Sequence, residues 1–202
     1  MDTGPDNSGL VTQLLQAWRD GDAAAPDQLL AILYDDLKAL ATHNLGAPGP
    51  RATFQPTDLV HEAYLKLLGS ARRGWEDRRH FVSAAVTAMR SVIVDRARAR
   101  ASLKRGGGST PTSLPIETPV TSLQPSEALA VHEAITKLEA IDPRAASVLT
   151  LRCFGGLSLA EAALVLDLPE RVVRRDWEFA RRWLRNQLQS SIDLGDSHHE
   201  HT

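Results

Sequence analysis

His61 and Glu62 stand side by side in the stretch His61-Glu62-Ala63-Tyr64-Leu65. A zinc-hydrolase helix begins this way, with two histidines four positions apart holding the metal and the glutamate acting as base. Here the second histidine position is Leu65, and no third ligand set accompanies it, so the motif is incomplete. The terminal run His198-His199-Glu200-His201 could chelate a metal ion loosely, but it reads as a polar tail. A single cysteine, Cys153, excludes a disulfide framework. It lies in the apolar-rich run Val148-Leu149-Thr150-Leu151-Arg152-Cys153-Phe154, which suits a buried structural thiol rather than a nucleophile. These residues predict no enzyme, no metal site and no cofactor.

The remaining chemistry is that of arginine. The net charge of -2 conceals a segregation. Residues 1–70 carry four Lys/Arg and nine Asp/Glu, whereas residues 71–105 carry ten and three. Residues 106–170 return to three and eight, and the six arginines of residues 171–202 all fall between Arg171 and Arg185. Two basic blocks, each preceded by an acidic stretch, are the electrostatic footprint of phosphate binding whatever the net charge. One such block is often just a solvated helix face; two in separate parts of a chain are less easily explained that way.

The elements that must position these blocks read as helices throughout. Leu10, Val11, Leu14, Leu15 and Trp18 form a short amphipathic pattern closed by Asp20-Gly21-Asp22. Pro26 opens a second helix with Leu29, Leu30, Leu33, Leu37, Leu40 and Ala41 at three- and four-residue spacing, broken by Gly46 to Pro50. A third begins at Thr57 or Asp58, either of which can cap it, and runs to Leu68. Its core stripe is Leu59, Val60, Ala63, Leu67 and Leu68, leaving Asp58, His61, Glu62, Leu65 and Lys66 on the other side. A fourth, about Arg78 to Leu103, buries Phe81, Ala85, Ala88, Met89 and Val92 and exposes Arg90, Arg96, Arg98 and Arg100.

The run from Gly106-Gly107-Gly108 to Pro125, with Pro111, Pro115 and Pro119 between, reads as an extended linker. About 20 residues at about 3.3 Å each reach roughly 60 Å. That matches up to roughly 18 base pairs of duplex at about 3.4 Å each. Beyond it, Ala128, Val131, Ile135 and Leu138 make one helix, stopped near Ile141-Asp142-Pro143. Pro143 opens the next, which ends at Gly155-Gly156. Ser158-Leu159-Ala160-Glu161 is a capping box that starts a short helix ending at Leu166. Asp167-Leu168 makes a turn, and Pro169 opens a long helix to about Gln189 with Val173, Trp177, Ala180, Leu184 and Leu188 as its core stripe. Short capped helix, tight turn and basic amphipathic helix form a helix-turn-helix pattern whose second helix would enter the major groove. There an arginine can bond two guanine acceptors at once.

The expected fold is therefore all-α: a helical domain over residues 10–105, a flexible linker over 106–125 and a helix-turn-helix domain over 126–190. The first residues have neither a basic nor an apolar signal-peptide region, and no apolar run is long enough to span a membrane, so a cytoplasmic protein is expected.

Four stretches, taken in order, resemble the extracytoplasmic-function group of sigma factors. Gln55-Pro56-Thr57-Asp58-Leu59-Val60-His61-Glu62-Ala63-Tyr64-Leu65-Lys66-Leu67 looks like that group's polymerase-binding helix. Arg79-His80-Phe81-Val82 and Met89-Arg90-Ser91-Val92-Ile93-Val94-Asp95-Arg96-Ala97-Arg98 resemble the helix that reads the upstream edge of the melted promoter element. The latter is most like the subgroup with a Val-Asp-x-Ala-Arg ending. Asp142-Pro143-Arg144, Leu151-Arg152-Cys153-Phe154-Gly155-Gly156-Leu157-Ser158 and Arg174-Arg175-Asp176-Trp177-Glu178-Phe179-Ala180-Arg181 resemble the promoter-distal DNA-binding domain. The resemblance spans about residues 10–190. The chain departs from the family's pattern at Pro169 and Val172, where a Ser cap and a Thr are usual, at Asp167, usually Gly, and at Arg171, usually a small residue.

The resemblance implies a factor that binds core RNA polymerase, directs it to promoters and helps open the DNA. Asp58, Leu59, Val60, His61, Glu62, Leu65 and Lys66 would dock on the clamp of the largest subunit, with the distal domain near the flap of the second-largest. Arg72, Arg73, Trp75, Arg78, Arg79, His80, Arg90, Arg96 and Arg98 would hold DNA at the -10 region, single-stranded where it melts. Trp75 could stack on an unpaired base or plug its loop into the core. In the helix-turn-helix, about Ser158 to Ala180, Glu170, Arg171, Arg174, Arg175 and Glu178 would face the duplex -35 element, with Arg181 and Arg182 on phosphates. No membrane partner is expected, and the sequence leaves open whether an anti-sigma protein binds. The alternative is a stand-alone helix-turn-helix regulator. It would leave the basic helix before residue 105 unexplained, and no dimerisation heptads or ligand-pocket pattern accompany it.

Overall fold

In the computed structural model the structure describes residues 7–45, 54–70, 74–103 and 125–196. These residues form eight helices: α1 (Ser8–Arg19), α2 (Ala25–Leu45), α3 (Pro56–Ser70), α4 (Arg78–Leu103), α5 (Pro125–Glu139), α6 (Pro143–Cys153), α7 (Leu159–Leu166) and α8 (Glu170–Asp196). The all-α expectation holds: no strand occurs among the described residues. Gly46–Pro50, Arg72, Arg73, the triple glycine, Pro111 to Pro119 and the histidine tail lie outside them.

Local chemistry sets most boundaries. The Asp77 side chain caps α4 by accepting the His80 N–H at 2.8 Å, a bond that also holds its carboxyl below the usual range. Asp142 caps α6 through the Ala145 N–H at 3.0 Å, with Pro143 in the first turn. The cap of α3 differs from both candidates. Pro56 is already helical, and Asp58 reaches back to accept the Gln55 N–H at 2.8 Å. Thr57 and Asp58 lie one and two residues inside the helix, because Pro56 needs no hydrogen-bond partner for a backbone N–H.

Helices α1 to α4 pack in chain order, and both α1 and α2 also touch α4. Their core holds Val11, Leu15, Leu29, Leu33, Leu37, Leu59, Phe81, Val86 and Met89, all at most 2% exposed. Trp75, 5% exposed, plugs it: its ring lies 4.9 Å from Trp18 and 5.4 Å, edge-on, from Phe81. Of the two readings of Trp75, the described conformation has the core plug. The core stripe of α3 ends at Leu67; Leu68 is 37% exposed, one position off the face that meets α2 and α4. Leu10 is likewise exposed.

In the second group, α5 lies on α6 and α8, while α6 and α7 both back onto α8. Val173, Trp177, Ala180, Leu184 and Leu188 are buried, the stripe the spacing predicts. The two groups also share a boundary: α4 packs on α5, α6 and α7. Hydrophobic packing is continuous across it. Gly155 sits so close to α4 that a Cβ there would meet the Val86 methyl at 3.2 Å and the Leu151 carbonyl at 2.5 Å. Gly156, at φ +64, lies directly against the His43 ring. The expected exposure of Arg90 is overturned here. It is 5% exposed, covered by α5 and α6, because the face of α4 that carries it meets the second group rather than water.

Candidate nucleic-acid interface

The helix-turn-helix is built as its sequence requires. Ser158 and Glu161 make the reciprocal capping box: the Ser158 hydroxyl accepts the Glu161 N–H at 3.2 Å, and the Glu161 carboxylate accepts the Ser158 N–H at 2.8 Å. The latter bond keeps the Glu161 pKa below its ordinary value. Helix α7 ends at Asp167, held left-handed at φ 54. Its carboxylate group makes this conformation more accessible than it is to most residues. The Pro169 carbonyl then accepts the Val172 and Val173 N–H groups, so α8 starts without a side-chain cap from a serine.

Two contacts fix how α8 sits on α6. Arg144 donates to both carboxylate oxygens of Asp176, at 2.5 and 3.2 Å, and Asp176 is 4% exposed. The Arg152 guanidinium lies 4.9 Å from the centre of the Trp177 ring and donates to the Leu157 carbonyl at 2.5 Å. With α8 held this way, Glu170, Arg171, Arg174, Arg175 and Glu178 all lie exposed over its first turns. Arg174 pairs with Glu170 at 2.5 Å, so this part of the surface alternates in sign. Further along, Arg182 is exposed, whereas Arg181 pairs with Glu178 at 3.0 Å and keeps its Nε buried without a partner.

The basic residues of α4 are more tied. Arg78 pairs with Asp36 of α2. Arg79 bridges Asp77 at 3.1 Å and, across the boundary, Asp167 at 2.6 Å. Arg96 pairs with Glu62 and lies 3.5 Å over the centre of the Phe54 ring. Arg90 is enclosed, leaving His80, Arg98 and Arg100 as its exposed basic groups without a cross-helix partner of this kind.

Helix α3 sorts its candidates by direction. Leu59 and Val60 are 0% and 2% exposed and hold the helix to the core. Glu62 and Lys66 line the edge toward α4, Lys66 bonding Asp95 at 2.8 Å and Ser91 at 3.0 Å. Asp58, His61, Leu65 and Leu68 recur at three- and four-residue spacing on the solvent side, where Leu65 is 53% exposed. This acidic and apolar stripe lies away from the second group of helices.

The Arg144–Asp176 pair was missed as a pair, although its signal was present. Asp176 falls at helical spacing between Val173 and Ala180, so an acidic residue sits on a core stripe and needs a cationic partner. The partners of Arg90, namely His132, Thr136, Glu139 and Thr150, carry no such signal. Cys153 is buried, and burial pushes its thiol up to about 12, which suits the structural reading. Among the described residues no group of side chains could hold a metal ion, and no helix is long and apolar enough to cross a membrane.

Comparison with curated proteins finds no match. A family model described as ECF sigma factor matches residues 8–190, which span all eight helices but the end of α8. The chain belongs to the ECF sigma factor family, and its role lies in transcription initiation.

Proposed function

We propose that this chain docks on core RNA polymerase through the solvent side of α3, reads the upstream promoter element with α8, and holds the -10 region with the basic residues before and along α4. Asp58 offers charge to a basic partner surface, and Leu65 an apolar anchor; such a centre-and-rim arrangement is usual for a hot spot. The clamp of the largest subunit is the partner the family implies for α3, and the flap of the second-largest for the helix-turn-helix. The observation that carries the reading is the start of α8: five charged side chains on its first turns, three of them arginine, presented by a capped helix and a left-handed turn. Those arginines are exposed, Arg174 pairing with Glu170 and Arg175 with Asp176, while Arg181 and Arg182 sit two turns later, where phosphates run.

Catalysis of RNA synthesis stays with the polymerase, so the chain itself works by binding energy alone. It acts where polymerase is, in the cytoplasm. The test is reconstitution with core polymerase, followed by mapping of the promoters that the assembly opens. Promoter-specific opening supports the reading. Duplex binding that is specific without polymerase, and no assembly with it, would instead make the chain a stand-alone regulator.

A further inference from the structure

Among the described residues the exposed large apolar side chains are Leu10, Leu65, Leu68, Ile141, Leu164 and Phe179. Phe179 is the aromatic one. It stands on α8, 38% exposed, between the buried Trp177 and Ala180 in the chain but off the core stripe. No other ring stacks on it and no cation lies over its face among the described residues. Arg175, four positions before it, and Arg182, three after, share its side of the helix, and both are exposed. A helical side chain leans over the turn before its own Cα, so the ring leans toward Arg175 and the end of α8 that would enter the groove.

Rotation of α8 cannot bury it. Three positions earlier, Asp176 is held by two bonds from Arg144 of α6. Four positions later, the Trp183 indole N–H donates to the Ala134 carbonyl of α5 at 3.2 Å. Phe179 therefore stands between two anchored positions. A protein partner would call for an apolar surround at the centre of its contact, where charged residues are depleted. Phe179 has Arg175, Glu178 and Arg182 around it instead, all exposed. The two arginines suit a polyanion, with the ring meeting an apolar group within it. The major-groove edge of duplex DNA offers one such group, the 5-methyl of thymine, and phenylalanine is among the side chains that pack on it.

We infer that Phe179 is a specificity-determining residue of the helix-turn-helix, its ring packing on the 5-methyl group of one thymine in the upstream element. Four residues of helix advance about 6 Å. A duplex rises about 3.4 Å per base pair, so this thymine lies within about two base pairs of the position that Arg175 contacts. The arginines supply attraction and polar readout. Phe179 adds rejection of cytosine, which lacks the methyl group and turns an amino donor toward the groove. The inference rests on the proposed reading of duplex DNA by α8.

The test uses the full chain assembled with core polymerase. Upstream-element duplexes are selected from a randomised pool, and each thymine of the selected sequence is replaced in turn by deoxyuridine, which removes the methyl group alone. Wild type is expected to lose about fourfold in affinity at one thymine, the worth of one methyl group withdrawn from water. Phe179→Ala is expected to bind the thymine duplex more weakly than wild type and to lose nothing further on the deoxyuridine duplex. At every other thymine the two proteins are expected to respond alike, and their salt slopes to match, since no phosphate contact is removed. Circular dichroism verifies the fold, and Phe179→Gln, which keeps a helix-favouring side chain, is the second variant should Phe179→Ala unfold; the same loss of coupling is expected of it. Equal losses by wild type and variant at every thymine, no loss at any, or a selected element without thymine overturns the inference and leaves the reading of DNA by α8 standing. Loss of polymerase retention by the variant places Phe179 in a protein contact and overturns it as well. If the wild-type assembly selects no sequence, the reading of DNA by α8 itself fails, and the inference with it.

Discussion

On the proposed reading, individual side chains divide the work of α8. Arg174 and Arg175 stand exposed in its first two turns, and Arg182 two turns later. Arg174→Ala or Arg175→Ala is expected to cost about 1–3 kcal/mol on the cognate upstream element and to blur preference at one or two base positions. Arg182→Ala is expected to weaken all sequences alike and to lower the salt slope by about one unit. Binding of the holoenzyme to a panel of upstream-element variants at two salt concentrations measures both; equal loss on every variant for Arg174→Ala would make that residue a phosphate contact. Trp75 belongs to this scale too. Its ring is wedged between Trp18 and Phe81, so Trp75→Ala is expected to destabilise the free chain by about 3–5 kcal/mol. Urea unfolding without DNA reads this directly. A base-stacking residue with no packing role would leave the midpoint where it was.

At the scale of the element, the proposal gives α3 two jobs on separate faces. One face locks to α2 and α4 through Leu59, Val60, Ala63 and Leu67, and an edge pairs Glu62 with Arg96 and Lys66 with Asp95. The solvent side is Asp58, His61, Leu65 and Leu68. A substitution aimed at polymerase must avoid both Glu62, which holds Arg96, and Asp58, which bonds the Gln55 N–H at the helix start. His61→Glu with Leu65→Glu meets this condition, since both side chains are exposed. The pair is expected to abolish retention of core polymerase in a pull-down while shifting the melting temperature by no more than a degree or two, as surface changes usually cost within about 0.5 kcal/mol. Retention undiminished by the double substitution would move the docking face off α3.

At the scale of the whole molecule, two histidines between the groups of helices predict a sensitivity to acid that no single helix has. His132 and His43 both lie at the boundary between the groups of helices. Each has a pKa below 6.5, through burial first and then a neighbouring arginine: Arg90 and Arg98 from α4 for His132, Arg152 for His43. Glu139 and Glu133 on α5 oppose the shift at His132 without reversing it. A histidine that binds its proton more weakly when folded contributes stability that is fully present above about 6.5. That contribution is lost as pH falls from there through the folded value. Protonation at His132 Nδ1 would also turn the acceptor of the Arg90 Nε–H into a second donor. Between pH 8 and pH 5 the melting temperature is therefore expected to fall and the radius of gyration to rise. His132→Asn, which keeps an acceptor but does not titrate, should flatten both curves; an unaltered response would place the acid sensitivity elsewhere.

Several features were legible in the sequence because local chemistry decides them. The capping box at Ser158 and Glu161, the turn at Asp167 and the buried stripe from Val173 to Leu188 depend on residues within one or two turns of each other, and all appear as the sequence predicts. The same holds for the all-α class and for Asp58, His61 and Leu65 on the outward side of α3, though Leu68, read as core, is exposed there too. Tertiary structure alone decided what meets the second face of a helix. Arg90 reads as exposed, since only its own helix can be seen in the sequence, yet residues 42 to 60 positions further along complete its five bonds. Arg79 finds Asp167 at a separation of 88. Periodicity tells which side of a helix is apolar; it cannot tell that a polar position is covered, because the partners that make burial of a charge tolerable come from elsewhere in the chain.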